Sequence, residues 1–259
     1  MPPDWIDVSG LSFRTLLLLE HAQLAWLPGW LPERELAVAL KANPEVEWFL
    51  RHKNPDLDPW IDRVLAQADS SLPVREAEEA VLRSMTDLVV YAVDPQRYAD
   101  QPFLRWDDAE LTGVVDFAGS VVLDVGAGTG RLAFLAAEHG ARVVWAVEPV
   151  ERLRRYMKDH AHVRGLRAVH AVDGLITDLP FPDAFADVVM GGHVFGDAPE
   201  AEYAELCRVA KPGGTVVLCP GGNDVDDDRH RFLVERGFSW ARFEEPGDGS
   251  KRKYWLTVP

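Results

Sequence analysis

The apolar positions along this chain follow two different rhythms. Through the first 95 or so residues they recur at three- and four-residue spacings. That predicts amphipathic helices over Leu11–Trp26, Glu33–Lys41, Glu45–Arg51, Ile61–Ala68 and Val74–Val90. Prolines at 28, 32, 44, 55, 59 and 73 punctuate these stretches, where helices start or stop. A connection from Asp94 to about Arg105 leads to a further predicted helix over Trp106–Phe117. The sequence shows no internal repeat and no low-complexity tract.

From Ser120 short, β-branched, nearly all-apolar runs take over: Val121–Val125, Val143–Val147, Ala168–Val172, Val188–Met190 and Thr215–Leu218. Continuous apolar strands are what a parallel sheet covered on both faces requires. Helical stretches over Arg131–His139, Val150–His162 and Pro199–Ala210 separate most of them, so the expected class is α/β with a doubly wound sheet of five parallel strands. The tail differs. Phe238–Glu244 and Arg252–Val258 read as strands joined by Glu245-Pro246-Gly247-Asp248-Gly249-Ser250, whose turn chemistry predicts a C-terminal antiparallel hairpin and seven strands in all. The expected organisation is an all-helical N-terminal cap or side domain over 1–97 and a ligand-binding domain over 98–259.

The first strand runs into Gly126-Ala127-Gly128-Thr129-Gly130, and a helix follows. Glycines suit a tight reversal, a close ligand approach and close helix–strand packing. Thr129 is placed to cap the helix and Gly140 to end it. The free N–H groups at that helix start favour an anionic group. The dinucleotide pattern G-x-G-x-x-G fails, because its sixth position is Arg131 counted from Gly126 and Ala133 counted from Gly128. Glu148 ends the second strand, 20 residues after Gly128, where a carboxylate can accept hydrogen bonds from a ribose diol. A helix N-terminal charge complementing the dipole is the alternative. Pro149 would then offer an apolar surface to a base.

The G-x-G-x-G loop preceded by Val122-Leu123-Asp124-Val125 resembles the first motif of the class I S-adenosylmethionine (SAM)-dependent methyltransferases, a Rossmann-like family. Asp178-Leu179-Pro180-Phe181-Pro182-Asp183 running on to Asp187, and Glu205-Leu206-Cys207-Arg208-Val209-Ala210-Lys211-Pro212-Gly213-Gly214, resemble later segments of the same family. The matches run in order over about residues 106 to 220. The resemblance implies methyl transfer from SAM. It places Gly126, Ala127 and Gly128 against the methionine part of that cofactor and Asp124 near its ammonium group. It places Asp173 at the adenine amino group, with the Gly174 or Leu175 backbone at the ring edge. Gly191, at the end of the fourth strand, joins the same cofactor-binding set.

In an open α/β sheet ligands bind beyond the carboxyl ends of the strands. His193 in the loop after strand four is the candidate base, since imidazole titrates near neutrality; a packing or hydrogen-bonding role beside the cofactor is the alternative. Tyr98, Arg105 and Trp106 either close over the site or pack between domains. Cys219 reads as a small buried hydrophobe rather than a nucleophile. Asp224, Asp226, Asp227, Asp228 and His230 read as a solvated loop or helix start rather than a metal site. Trp5, Trp26, Trp30, Trp48 and Trp60 read as helical core, with an apolar acceptor pocket or partner groove as the other option.

Composition narrows the partners. Lys plus Arg total 27 against 42 Asp plus Glu, a formal charge of −15 that disfavours a phosphate backbone. Arg152, Arg154, Arg155 and Lys158 form the densest basic group and read as the solvated face of a helix. With only Cys207 and Cys219, no disulfide framework is implied and a cytoplasmic setting fits. The start, Met1-Pro2-Pro3-Asp4-Trp5, lacks the features of a signal peptide, and Leu16–Leu19 is far too short to span a bilayer. The expectation is a methyltransferase acting on a small molecule, without nucleic acid, membrane or metal. A methyltransferase-like binding module, a protein methyltransferase and a nicotinamide dehydrogenase are the competing readings.

Overall fold

The computed structural model describes residues 5–27, 29–67 and 71–259. The chain divides into two compact units, Met1–Tyr98 and Ala99–Pro259. Pro28, the predicted helix end at Ala68 and the first four residues lie outside the described residues.

The first unit is helical: a 3₁₀ segment at Phe13–Leu18, then α1 (His21–Leu24), α2 (Glu33–Ala42), α3 (Pro44–Lys53), α4 (Asp58–Ala66), α5 (Val74–Ser84) and α6 (Thr86–Val93). α7 (Pro95–Ala99) leads to the boundary. Leu16, Leu24, Leu36, Leu40, Leu50, Ile61 and Leu82 form the centre of its core. Two expected helices are each broken in two. The stretch 11–26 divides at Glu20, whose side chain and that of Gln23 form a reciprocal capping box that starts α1 afresh. The stretch 74–90 divides at Met85, where the Ser84 hydroxyl donates to the Val81 carbonyl and competes with the helical ladder. Only Trp60 of the tryptophans in this region is fully buried, with its indole N–H on Glu33 at 2.8 Å; Trp26, Trp30 and Trp48 are exposed. The core reading therefore holds for Trp60 and fails for those three.

The second unit carries α8 (Ala109–Thr112), β1 (Val121–Val125), α9 (Arg131–Glu138), β2 (Val143–Val147), α10 (Glu151–Val163), β3 (Val169–Val172), β4 (Ala186–Gly191), α11 (Pro199–Val209), β5 (Ala210–Asn223), α12 (Asp228–Glu235), β6 (Ser239–Glu245) and β7 (Gly249–Thr257). The strands form one seven-stranded sheet in the order β3-β2-β1-β4-β5-β7-β6. β1 to β5 pair parallel, and β7 pairs antiparallel with both β5 and β6. The doubly wound sheet with a terminal hairpin is as expected. Successive strand residues point to opposite faces. Val122, Val144, Val188, Met190 and Val217 meet α9 and α10 on one side, whereas Leu123, Val125, Val189, Val216 and Leu218 pack with α11 and α12 on the other.

Three boundaries differ from expectation. The helix predicted over Trp106–Phe117 is a single turn, because Asp107 and Asp116 bind the backbone two residues on and Gly113 ends the turn. β5 runs on to Asn223, since its ladder with β7 resumes at Gly222–Arg252 after an irregularity. The hairpin turn is tighter than the linker suggested, with Glu245 already paired to Gly249.

The segments typical of the sequence resemblance have structural tasks here. Arg208 holds Asp183 at 2.8 Å, Glu205 at 2.6 Å and the Phe181 carbonyl at 2.8 Å, fastening the loop before β4 to α11. Asp187 accepts from the Val121 N–H and from Lys211, whose charge keeps the Asp187 carboxyl below its usual range.

Gly130 and Gly165 offer a controlled comparison, both lying at positive φ (90° and 69°). A Cβ on Gly130 would fall 2.8 Å from Met157 Cγ and 2.9 Å from Phe134 Cζ, while one on Gly165 would meet nothing within 4 Å. Gly165→Ala should cost about 1 kcal/mol of unfolding free energy from backbone strain alone, and Gly130→Ala about 2–3 kcal/mol, read by urea denaturation. Equal losses would show that crowding at Gly130 is relieved without cost.

Candidate functional site

The parallel strands β1, β2, β3 and β4 release their following loops at one edge of the sheet. There the glycine loop is fixed by its neighbours. Gly126, Gly128 and Gly130 have φ of 64°, 54° and 90°. The Ala127 N–H donates to the Val147 carbonyl at 3.0 Å, and the Gly128 N–H donates to Glu148 Oε2 at 2.9 Å. The tip of β2 thus holds the turn after β1.

Asp124 is 1 % exposed, and its Oδ2 accepts from the Ala133 N–H in the first turn of α9 at 2.9 Å. This corrects the cap expected from Thr129. The N-cap is Gly130 in the left-handed region with no side-chain cap of its own, and a carboxylate reaching across from β1 satisfies a helix N–H instead. Asp124 Oδ1 is buried with no hydrogen-bond partner. Burial pushes the Asp124 carboxyl up to about 8; the Ala133 N–H opposes this and the Glu148 charge adds to it.

Glu148 is also buried, with Oε1 accepting from the Val150 N–H at 2.9 Å. A carboxylate placed at the tip of β2 can accept hydrogen bonds from a ligand's hydroxyls. Pro149 is half-buried and Ala127 is buried. Asp173 directly follows β3, with 75 % of its side chain exposed, and is bound to Arg154 Nη1 at 2.9 Å. The same nitrogen donates to the Glu148 and Pro149 carbonyls, each at 2.7 Å. Arg154 therefore ties the tips of β2 and β3 together and is largely covered, which corrects its reading as part of a solvated helix face. Arg152, Arg155 and Lys158 are exposed.

Three of the candidate glycines have a packing reason. A Cβ on Gly126 would lie 2.4 Å from Val194 Cγ2, and one on Gly191 would lie 2.6 Å from Val194 Cγ1. Val194 thus draws the loop after β4 onto the glycine loop. A Cβ on Gly174 would lie 2.8 Å from Val147 Cγ1 and 2.9 Å from Pro180 Cδ, so that glycine seats the β3 tip. Leu175 is exposed and bridges to Asp178. Glu202 of α11 accepts from the Gly196, Asp197 and Ala198 N–H groups and fixes the far end of the loop after β4.

His193 sits between these anchors with φ of 57°. Its N–H donates to the Pro220 carbonyl, its Nε2 lies 2.7 Å from Glu245 Oε1, and Phe103 packs edge-on to its ring. Glu245 was not among the expected site residues; its only sequence signal was an acidic residue at a strand end. Arg131 stacks on Trp106 at 4.1 Å and binds the Leu104 and Trp106 carbonyls, so Trp106 is packed into the second unit's core. The Arg105 guanidinium donates to the Asp100 carbonyl.

Other candidates resolve otherwise. Cys219 is fully buried, and burial pushes its thiol up to about 12, which suits a small hydrophobe and not a nucleophile. Asp224 binds Arg242 and Arg252, Asp226 binds Arg252, and Asp227 caps α12 through the His230 N–H. Among the described residues no group of three His, Cys, Asp or Glu could hold a metal ion. No described helix is long and apolar enough to cross a membrane.

A family model described as a methyltransferase domain matches residues 123–218. The chain is 30 % identical over 156 residues to an uncharacterized methyltransferase of Geobacillus thermodenitrificans, a match covering 58 % of this chain and 69 % of that protein. It is 28 % identical over 218 residues to the histone-arginine methyltransferase CARMER of Drosophila erecta, covering 81 % of this chain but 41 % of that one. Among solved structures, a SAM-dependent methyltransferase from Aquifex aeolicus superposes with a TM-score of 0.51 at 22 % identity, over 64 % of this chain and 99 % of that one; it shares the fold.

The buried Asp124 carries a pH signature. The folded protein keeps that proton up to about 8, whereas the unfolded chain releases it near 3.8. Between those values the unfolded state binds fewer protons, so this group's contribution to stability falls as pH rises. Asp124→Asn should remove that component, seen as a smaller loss of urea stability between pH 5 and pH 8. An unchanged slope would mean that Asp124 is ionised in the folded protein.

Proposed function

The chain belongs to the class I, Rossmann-like SAM-dependent methyltransferases, and we propose that it methylates a small-molecule acceptor at the edge of the sheet where β1 and β4 end. The observation that carries the cofactor part of this reading is the buried, partnerless oxygen of Asp124 beside the glycine loop. An unpaired polar atom in the interior is costly unless something satisfies it, and an ammonium group is a suitable partner.

The donor set fits SAM. Asp124 Oδ1 would take the α-ammonium group, with the Gly126-Ala127-Gly128 backbone along the methionine chain. Glu148 would accept from the ribose hydroxyls, and Pro149 would offer an apolar face to the base. Asp173, with the backbone of Gly174 and Leu175, would meet the adenine edge; Gly191 would border the cofactor from β4. Bound SAM supplies an electrophilic methyl group on a sulfonium. What remains for the protein is to align the acceptor and exclude water.

A compact acceptor suits the surroundings of His193. Its side chain is 33 % exposed, with Phe103 edge-on to the ring and Glu245 beneath it. Phe103 and Glu245 bound the ring on two sides, which supports a metabolite-sized acceptor at this point.

Calorimetry with SAM tests the reading. Binding at pH 7 should release about one proton, because an ammonium partner stabilises ionised Asp124; comparing buffers of different ionisation enthalpy measures it. Asp124→Asn should bind more weakly and release none. Gly128→Val should abolish binding, since Gly128 lies at φ 54° in the loop itself. A wild-type protein that does not bind SAM would overturn the proposal.

A further inference from the structure

We infer that His193 and Glu245 form a proton-accepting pair, and that the acceptor is therefore a neutral hydroxyl compound. The inference rests on the methyltransferase reading above.

Topology brings the two residues together. β6 runs antiparallel to β7, and β7 antiparallel to β5, so β6 runs parallel to β4 and β5. Its last residue, Glu245, thus reaches the sheet edge where β4 ends at Gly191, two residues before His193. Val194, next in the chain, packs against the Cβ position of Gly126, which keeps His193 beside the glycine loop.

The pair is built for a defined protonation pattern. Glu245 is 0 % exposed in its side chain and lies 2.7 Å from His193 Nε2. A carboxylate in that place favours the tautomer with the proton on Nε2, leaving Nδ1 with the lone pair that can take a substrate proton. Behind Glu245 stands Lys251, also buried, 3.4 Å from Glu245 Oε2, 2.7 Å from Asp248 and 2.6 Å from Asn223 Oδ1. Two carboxylates against one ammonium leave one net negative charge, which a proton arriving on His193 neutralises. The left-handed backbone of His193 is held by its N–H on Pro220 and by Val194 on the other side. Strain at such a position points to a function for the side chain it displays.

The acceptor class follows from the chemistry. Carboxylates and thiolates have no proton to lose, and a free amine can attack before losing one. A hydroxyl must give up its proton as it reacts. The O–H proton passes to Nδ1 of His193 while the oxygen forms its bond to the methyl carbon. The methyl–sulfur bond breaks with its electron pair on sulfur, and the imidazolium later returns the proton to water. Glu245 is the positioning residue and His193 the catalytic one.

The test uses the full chain with SAM and a panel of phenol, catechol, p-nitrophenol and benzyl alcohol, set against aniline, benzylamine, thiophenol and benzoate. His193→Asn is the first variant, because Asn tolerates a positive φ. It should lower kcat on phenol about 100-fold or more with SAM affinity unchanged, and lower it far less on p-nitrophenol, which ionises unaided. Glu245→Gln should lower kcat on phenol at least about tenfold without raising KM. In SAM-free protein, proton NMR should show a downfield, solvent-protected Nε2–H signal of His193 that Glu245→Gln removes. Failure to methylate any hydroxyl compound, equal losses on phenol and p-nitrophenol, undiminished turnover in either variant, or absence of the Nε2–H signal would each overturn the pairing. Loss of SAM binding in the wild-type protein would instead overturn the methyltransferase reading beneath it.

Discussion

The Asp124 carboxyl, enclosed at the end of β1 and bonded through Oδ2 to the Ala133 N–H, sets the geometry around which the site is arranged. It joins a central strand directly to the first turn of α9, and the five residues from Gly126 to Gly130 must span that short link. Such a span requires the left-handed backbone found at Gly126, Gly128 and Gly130. Glu148 then fastens the loop from β2 through the Gly128 N–H, and Arg154 carries the fastening on to β3. The interaction is costly, since burial opposes ionisation and Glu148 stands nearby. A fold that needed only a helix cap would have used a serine or threonine at the cap position. The cost is explained if the second oxygen is reserved for a cationic ligand.

Much of the site was legible in the sequence because its residues adjoin the turns that expose them. The glycine loop, Asp124, Glu148, Asp173 and His193 each lie at or just beyond the end of an apolar run, and parallel pairing brings those ends to one edge. Arg154 and Glu245 were not legible in the same way. Arg154 sits among charged neighbours on an amphipathic helix, and only the nearness of α10 to the tips of β2 and β3 shows that this one is covered. Glu245 lies 52 residues from His193, and their meeting depends on the strand order, which periodicity does not reveal. The helix breaks at Glu20 and Met85 were hidden for a different reason, since hydrophobic spacing continues through them while side-chain hydrogen bonds interrupt the ladder.

The acidic balance of the chain takes on a more specific meaning at the hairpin. β7 places Lys251, Arg252 and Lys253 in succession, all largely buried. Alternation sends Lys251 and Lys253 to one face and Arg252 to the other. Lys253 is held by Glu110 at 2.8 Å, Arg252 by Asp224 at 2.7 Å and Asp226 at 2.8 Å. The acidic run after β5 thus serves largely to neutralise a buried cation from the neighbouring strand. Removing one partner of such a pair leaves a charge uncompensated in the interior, so these contacts tie β7 to α8 and to the segment after β5.

The register of β6 on β7 determines where Glu245 ends up. A shift of one residue between β6 and β7 would turn Glu245 to the opposite face and leave His193 without its carboxylate. Glu245 and Phe243 lie two apart on β6, so they share a face; Phe243 packs against Trp106 in the core beneath α9 and holds the strand in place. An apolar residue at 245 would pack on that face without the cost of a buried charge. Beyond its ion pair with Lys251 the carboxylate meets His193, where its negative charge favours a proton arriving from the ligand edge. A hairpin held by ion pairs thereby delivers one carboxylate, in one register, to an imidazole kept beside the glycine loop.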